Sequence, residues 1–145
     1  GLCIEDILEE NVKDEKYFFT RGIDSFVKKN IKKSDAINKG IKVISLIPRS
    51  LLRDNERQRR VYSVKSKCPT LLARSDTPKI FIGNRVRKLT PLECERVQGI
   101  PDGYTNSVSM TQRYKMIGNG FSIPTVMHIL KGIGNKKPSQ MELFL

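Results

Sequence analysis

Hydrophobic positions in the first part of the chain predict two helices. Ile4, Ile7 and Leu8 have helical spacing and predict a short first helix. Thr20 is placed to cap a second helix with an apolar face at three- and four-residue intervals. The apolar positions of that face are Ile23, Phe26, Val27 and Ile31.

The middle of the chain has the composition of β-strands. Residues 41–47 are rich in β-branched side chains and predict a strand that ends at Pro48. Residues 60–64 alternate between polar and apolar and predict a second strand. Residues 78–82 predict a third, closed by the Gly-Asn pair at 83–84.

After about residue 88 the pattern changes to short capped helices. Residues 90–93 (Thr-Pro-Leu-Glu) form a capping box with proline at the first helical position, and Gly99 is expected to end this helix. Residues 109–112 predict a second capping box, with Gly118 as the end of its helix. A last helix is expected to start at Ser122. Its apolar face consists of Ile123, Val126, Leu130 and Ile133.

The charge of the chain indicates a polyanionic partner. The 145 residues include 27 Lys and Arg but only 15 Asp and Glu, which gives a formal net charge of +12. Nucleic acid is the leading candidate, because phosphate contacts use Lys and Arg and release counterions. Residues 49–74 are strongly basic and rich in Arg, which binds phosphates and guanine edges in a bidentate manner. No apolar run approaches 18 residues and no basic amphipathic helix has a large aromatic face, so no membrane partner is expected.

Cysteine and histidine usage predicts no metal site. The three cysteines (Cys3, Cys68 and Cys94) are far apart, and with the one histidine they form no zinc-binding spacing. We expect reduced intracellular thiols, Cys94 being a small buried apolar residue. The first residues lack the basic start and apolar core of a secretory signal.

Three stretches carry a resemblance to a known family. They are residues 87–105, residues 112–124, and upstream residues 60–63 together with residues 68–73, which contain the Thr70-Leu71 pair. In this order they closely resemble the C-terminal part of bacterial cytosine-specific DNA methyltransferases that methylate carbon 5. The first resembles the family's motif nine, the second its motif ten, and Thr70-Leu71 the signature of its target-recognition domain.

The resemblance implies an α+β fold in three parts. Residues 1–86 would be a small mixed target-recognition domain with short β-strands. Residues 87–134 would be returning helices that complete a methyltransferase catalytic domain, and residues 135–145 a tail. It further implies a bacterial, cytoplasmic, nucleoid-associated protein that works on duplex DNA with an N-terminal catalytic part.

Two groups of site residues follow from the resemblance. The Gly-Asn-Gly turn would line the pocket for S-adenosyl-L-methionine, with Asn119, Gly120 and Phe121 as cofactor-binding residues. Many family members have serine at the position of Gly120. Contact with DNA is expected from residues of the basic region and the Thr-Leu pair, namely Arg57, Arg59, Arg60, Thr70, Leu71 and Arg74.

We expect no catalytic residue in this chain. Glu10-Asn11-Val12 spells the family's catalytic glutamate motif but stands at the wrong end of the motif order. Cys68-Pro69 reverses the family's Pro-Cys nucleophile. The chain alone is therefore expected to be inactive. The alternatives are a free-standing DNA-binding module, an inactive remnant without a catalytic partner, and a ribosomal-type RNA-binding protein, the last disfavoured because no aromatic RNA-stacking motif is present.

Overall fold

The computed structural model describes residues 2–31 and 40–134, and the predicted tail at 135–145 lies outside these ranges. The α-helices are α1 (Arg21–Lys29), α2 (Pro91–Gln98), α3 (Met110–Asn119) and α4 (Ile123–Gly134). The strands are β1 (Val43–Leu46), β2 (Arg60–Tyr62), β3 (Lys79–Ile82) and β4 (Arg85–Lys88). Short 3-10 turns cover Ile4–Ile7, Glu15–Tyr17 and Glu56–Arg59. The mixture of elements confirms the α+β class.

The four strands form one sheet in the order β1-β2-β3-β4. β1 and β2 are antiparallel, β2 and β3 are parallel, and β3 and β4 form an antiparallel hairpin. The hairpin turn uses Gly83 and Asn84, both with positive φ, as the Gly-Asn pair predicts. Helices α1, α2 and α3 pack against this sheet.

Two separate hydrophobic clusters flank the sheet. Helix α1 contributes Ile23 and Val27 to one cluster, where they meet Val61 of β2 and Val86 of β4. The other cluster gathers the first 3-10 turn, α2 and α3 against side chains of β2 and β3. Its fully or almost fully buried members are Ile4, Ile7, Tyr62, Leu71, Ile80, Leu89, Cys94, Tyr114 and Ile117.

The local signals predicted most element starts. Thr90 and Glu93 form the expected reciprocal capping box, and Gly99 ends α2 in the left-handed conformation with φ of 73°. Ser109 accepts from the backbone N–H of Gln112 at the start of α3. The three predicted strands are all present, each shorter than predicted.

Several structural expectations need correction. The predicted first helix is a short 3-10 turn, and Ile31 lies beyond the end of α1 and is exposed. The predicted end of α3 at Gly118 is wrong, because the helix continues to Asn119. Strand β4 was not predicted, since its sequence (Arg-Val-Arg-Lys) has the composition of a surface cluster. The expected boundary between residues 86 and 87 therefore falls inside a strand that pairs with β3. Within the described ranges, no helix has the length and apolarity needed to cross a membrane.

Candidate functional site

A buried ion pair fixes α2 to the sheet. Arg87 of β4 donates two hydrogen bonds to the carboxylate of Glu93, at 2.7 and 2.8 Å, and both side chains are almost wholly buried. The same carboxylate accepts the backbone N–H of Thr90 and that of Glu9. The N-terminal segment, β4 and α2 thus meet at one carboxylate whose acceptor sites are well used.

A second buried carboxylate orders the loop that follows α2. Glu95 accepts the backbone N–H groups of Gly103 and Thr105, the hydroxyl of Thr105, and one N–H of Arg113 from α3. Burial by itself would raise the pKa of Glu95, but these hydrogen bonds outweigh burial and hold its pKa below the ordinary value. The loop between α2 and α3 is therefore tied to both helices.

The Gly-Asn-Gly corner (residues 118–120) is fixed by hydrogen bonds on its inner side and exposed on its outer side. Gln98, at the end of α2, donates its side-chain amide to the carbonyls of Ile117 and Gly120 at 3.0 and 3.3 Å. Asn119 and Gly120 are exposed, and the ring of Phe121 is 83% exposed. The corner therefore has a fixed backbone and an uncovered outer face.

The first glycine of the corner permits a close backbone approach. A Cβ on Gly118 would lie 2.2 Å from the carbonyl oxygen of Leu72, which no side chain can tolerate without movement. A Cβ on Gly120 would come no closer than 3.4 Å to any atom, and its φ of −74° suits any residue. Gly118 thus serves packing between α3 and the segment after Thr70, whereas Gly120 is not required by sterics.

Helix α4 leaves its apolar side chains in solvent. All four positions of the predicted apolar face are exposed, and so are Met127 and Ile129. Leu130, for example, is 59% exposed. The exposed large apolar residues of α4 are Ile123, Val126, Met127, Ile129, Leu130 and Ile133. Large exposed apolar surfaces are typical of contact surfaces.

The structure brings several of the predicted DNA-binding residues together. Arg57, Arg60 and Thr70 line one groove beside β2 and β3. Arg57 is exposed, and Arg60 forms a solvent-accessible ion pair of 2.7 Å with Glu56. Arg74 is exposed nearby, where it pairs at 3.1 Å with Asp76, which also lines the groove. Exposed pairs of this kind are weak, so both guanidinium groups remain accessible to a polyanion.

Two predicted DNA-binding residues are placed differently. Arg59 donates to the carbonyls of Asp54 and Ile47, at 3.1 and 2.6 Å, and so holds its own loop together. Leu71 belongs to the core cluster and is only 7% exposed. Sequence position alone could not separate these residues from their neighbours, because the separation depends on which side chain turns inward.

The cysteines have the character of packing residues. Cys94 is buried as expected, and burial raises its pKa well above the ordinary value. Burial also raises the pKa of the Cys68 thiol to about 12, so the thiolate needed for nucleophilic attack is scarce at neutral pH. No group of three or more metal-ligating side chains occurs among residues 2–31 and 40–134.

The exposed corner presents polar and apolar groups side by side. Asn119 presents an amide, Phe121 presents an apolar ring, and the first turn of α4 follows directly. Such groups suit a ligand that combines polar and apolar parts, as S-adenosyl-L-methionine does. Gln98 packs against the inner side of the corner, and the outer side of Asn119 and Gly120 is exposed.

Comparison with known proteins gives a consistent result. Residues 2–135 match the family of C-5 cytosine-specific DNA methylases. The type II methyltransferase M.HhaI of Haemophilus parahaemolyticus is 36% identical over 81 residues, which are 52% of this chain and 25% of that protein. The DNA (cytosine-5)-methyltransferase DRM2 of rice (Oryza sativa subsp. japonica) is 35% identical over 65 residues, covering 44% of this chain and 11% of that protein.

A solved structure supports the same fold. The S. pombe Dnmt2 methyltransferase aligns with 89% of this chain and 40% of its own chain, at a TM-score of 0.55 and 12% identity. The chain spans about a quarter or less of the length of the curated relatives named above. Since the family match extends over nearly all of the sequence, this chain belongs to the C-5 cytosine-specific DNA methylase family.

Proposed function

We propose that this chain acts as the C-terminal portion of a cytosine-5 DNA methyltransferase. In this role it grips duplex DNA and completes the S-adenosyl-L-methionine pocket of a catalytic part that carries the cysteine nucleophile. The observation that carries the proposal is the exposed apolar face of α4 directly after the open Gly-Asn-Gly corner. The two features point to one missing neighbour that would cover both.

The proposed DNA-binding surface is the groove of Arg57, Arg60 and Thr70, with Arg74 at its edge. Arginine guanidinium groups suit phosphate oxygens and guanine edges, and a threonine hydroxyl can bond to either. We leave Arg59 and Leu71 out of this surface, since the first supports its loop and the second fills the core.

The proposed cofactor wall consists of Asn119, Gly120 and Phe121. S-adenosyl-L-methionine would supply the methyl group when bound. The chain's own contribution is to hold the corner in place through Gln98 and to shield one side of the cofactor with the ring of Phe121. With glycine at position 120, only backbone contact is available there.

Reconstitution tests this proposal. The chain is co-expressed with the separately encoded catalytic part of a cytosine-5 methyltransferase, and methylation of plasmid DNA is scored by protection from a methylation-sensitive nuclease. We expect the two parts to co-purify and methylation to require both. Absence of association together with absence of methylation contradicts the proposal.

DNA binding gives a separate measurement on the chain alone. We expect salt-dependent binding to duplex DNA, measured by fluorescence anisotropy, with a slope that falls when Arg57 and Arg60 are replaced by alanine. A free-standing DNA-binding module would also bind DNA, but it has no use for an uncovered apolar helix. The exposure of α4 therefore favours the methyltransferase role over that alternative.

A further inference from the structure

A cavity rich in lysine lies at the open end of the β3–β4 hairpin, away from the turn at Gly83 and Asn84 and next to the DNA groove. Its volume is about 180 Å³. The residues on which the argument rests are Lys16, Phe19, Ser75, Thr77, Lys79 and Lys88, all of which line it. Lys79, Asp76 and Thr77 also line the groove that contains Arg57 and Arg60. The cavity and the groove are therefore adjacent, with three lining residues in common.

The two lysines at its centre face an unfavourable environment. Lys79 of β3 and Lys88 of β4 are directly opposite partners in the antiparallel register, and like charges in this relation are destabilising. Lys79 is only 3% exposed, and burial lowers the pKa of its ammonium group. Two lysines exposed on the surface would not incur this cost of burying an ammonium group beside a like charge.

Neither lysine is neutralised within the described residues. No carboxylate of residues 2–31 or 40–134 lies within 4.0 Å of either ammonium group. Aromatic rings take that place, since Lys79 Nζ lies 5.2 Å from the ring centre of Phe19 and Lys88 Nζ lies 5.6 Å from that of Tyr114. Aromatic contacts stabilise a cation only partly and leave its N–H donors available.

The acidic groups whose charges oppose the fall in the pKa of Lys79 are Asp76 and Asp54, and neither forms an ion pair with Lys79. Asp76 pairs with Arg74 at 3.1 Å, and Asp14 pairs with Lys16 at 2.6 Å. The hydroxyl of Thr77 donates to the carbonyl of Leu89. Two ammonium groups and the hydroxyl of Ser75 are thus left as donors toward the cavity.

We propose that this cavity binds a phosphate group. A compact, doubly charged anion with several acceptor oxygens matches two adjacent ammonium groups and a hydroxyl. The phosphate can come from a nucleic-acid backbone that continues from the groove, or from a free phosphate compound. The site shares Lys79, Asp76 and Thr77 with the proposed DNA groove, so it extends that surface and rests on the proposed function where DNA supplies the phosphate.

The test uses the full chain and a double substitution, Lys79→Met with Lys88→Met. Methionine keeps the length of the side chain and removes both charges, so we expect this variant to fold and to melt at a higher temperature than the parent. The matched control is Lys28→Met with Lys131→Met, which removes the same charge from exposed positions on α1 and α4. Single Lys88→Met serves as a second variant if the double one fails to fold.

Inorganic phosphate is titrated by calorimetry and by thermal shift, with chloride at matched ionic strength as the comparison. We expect the cavity variant to bind phosphate roughly tenfold more weakly than the control or not at all, as for loss of charged hydrogen bonds. Equal phosphate affinity in the cavity variant and the control overturns the proposal. This readout needs neither DNA nor methylation, so its failure is separate from that of the proposed function.

Duplex DNA then identifies the source of the phosphate. If the backbone supplies it, the cavity variant binds a duplex more weakly than the control does, and inorganic phosphate competes with DNA in the parent chain. If a free compound supplies it, the two variants bind the duplex equally while only the control retains phosphate binding. Both results support the site and differ only in its occupant.

Discussion

Helices α2 and α4 are close in the sequence but differ in which kinds of residue they bury. Helix α2 buries charged residues, whereas α4 exposes apolar ones. Helix α2 buries two glutamates, Glu93 and Glu95, each with 0% exposure. Helix α4 exposes nearly every large apolar side chain that it has. A buried charge is tolerated only where hydrogen-bonding or oppositely charged groups surround it. A large exposed apolar face is typical of a surface that another molecule covers. The partners of α2 are inside this chain, whereas those of α4 are not among its described residues.

The largest effect is expected from breaking the ion pair under α2. Arg87→Met leaves the Glu93 carboxylate buried without its cation, so we expect a loss of about 3–5 kcal/mol in the free energy of unfolding, measured by urea denaturation. Arg60→Met breaks an exposed pair and is expected to cost far less, because solvent screens the two charges. Similar costs for the two variants would contradict the contrast between buried and exposed pairs.

The two glycines of the corner give a matched pair of substitutions. Gly118→Ala places a Cβ against the backbone of Leu72, and we expect it to cost about 1–3 kcal/mol or more as overpacking. Gly120→Ser meets no close atom and is expected to leave stability within about 0.5 kcal/mol. Thermal and urea unfolding of both variants measure the difference. Equal costs would show that the corner does not depend on the approach of Leu72.

The hydrogen bonds around Glu95 make the free energy of unfolding depend on pH in the acidic range. Because the pKa of Glu95 lies below its ordinary value of 4.5, its ionised form stabilises the folded chain above that pH. This contribution is lost as the pH falls through the lowered folded-state pKa. Glu95→Gln is expected to cost about 1–3 kcal/mol at neutral pH, through buried groups left without a partner.

The same variant should flatten the pH profile. Urea unfolding of the parent and of Glu95→Gln is measured between about pH 6 and about pH 3, where the parent is expected to lose stability more steeply. Parallel profiles would mean that Glu95 titrates alike in the folded and unfolded chain.

The smallest effect on stability is expected on α4. Leu130→Ser changes an exposed position, so the free energy of unfolding should stay within about 0.5 kcal/mol of the parent. Self-association of the isolated chain, measured by analytical ultracentrifugation, should decrease. Ile117→Ala in the core of α3 is the comparison and should cost about 2–5 kcal/mol. A large loss from Leu130→Ser would show that the isolated chain already covers α4.

Local signals in the sequence predicted where the elements begin and end better than they predicted how the elements contact one another. Thr90, Glu93 and Gly99 specify the ends of α2 through their own neighbours, so these predictions are confirmed. Strand β4 was missed because arginine is usually a surface residue. Arg87 is buried here only because it pairs with Glu93 of α2. On α2 the apolar Leu92 and Val97 are only partly buried, while Glu93 and Glu95 occupy fully buried positions.

The sequence predicted which candidate residues lie together only in part, because contacts between distant side chains leave no local signal. The basic region and the motif resemblance placed Arg57, Arg60 and Thr70 on one surface, and these residues do line one groove. Lys79 gave no signal, because a single lysine at the start of a strand is unremarkable until its cross-strand partner is known. Gln98 likewise acquires its role only when α2 and the corner meet in space.

Hydrogen–deuterium exchange tests the central claim most directly. The chain is measured alone and after mixing with the catalytic part of a cytosine-5 methyltransferase, and exchange is followed in α4 and at residues 118–121. The account predicts fast exchange in α4 for the isolated chain and strong protection of α4 and the corner in the mixture. Protection of α4 in the isolated chain, or unchanged exchange on mixing, contradicts the account.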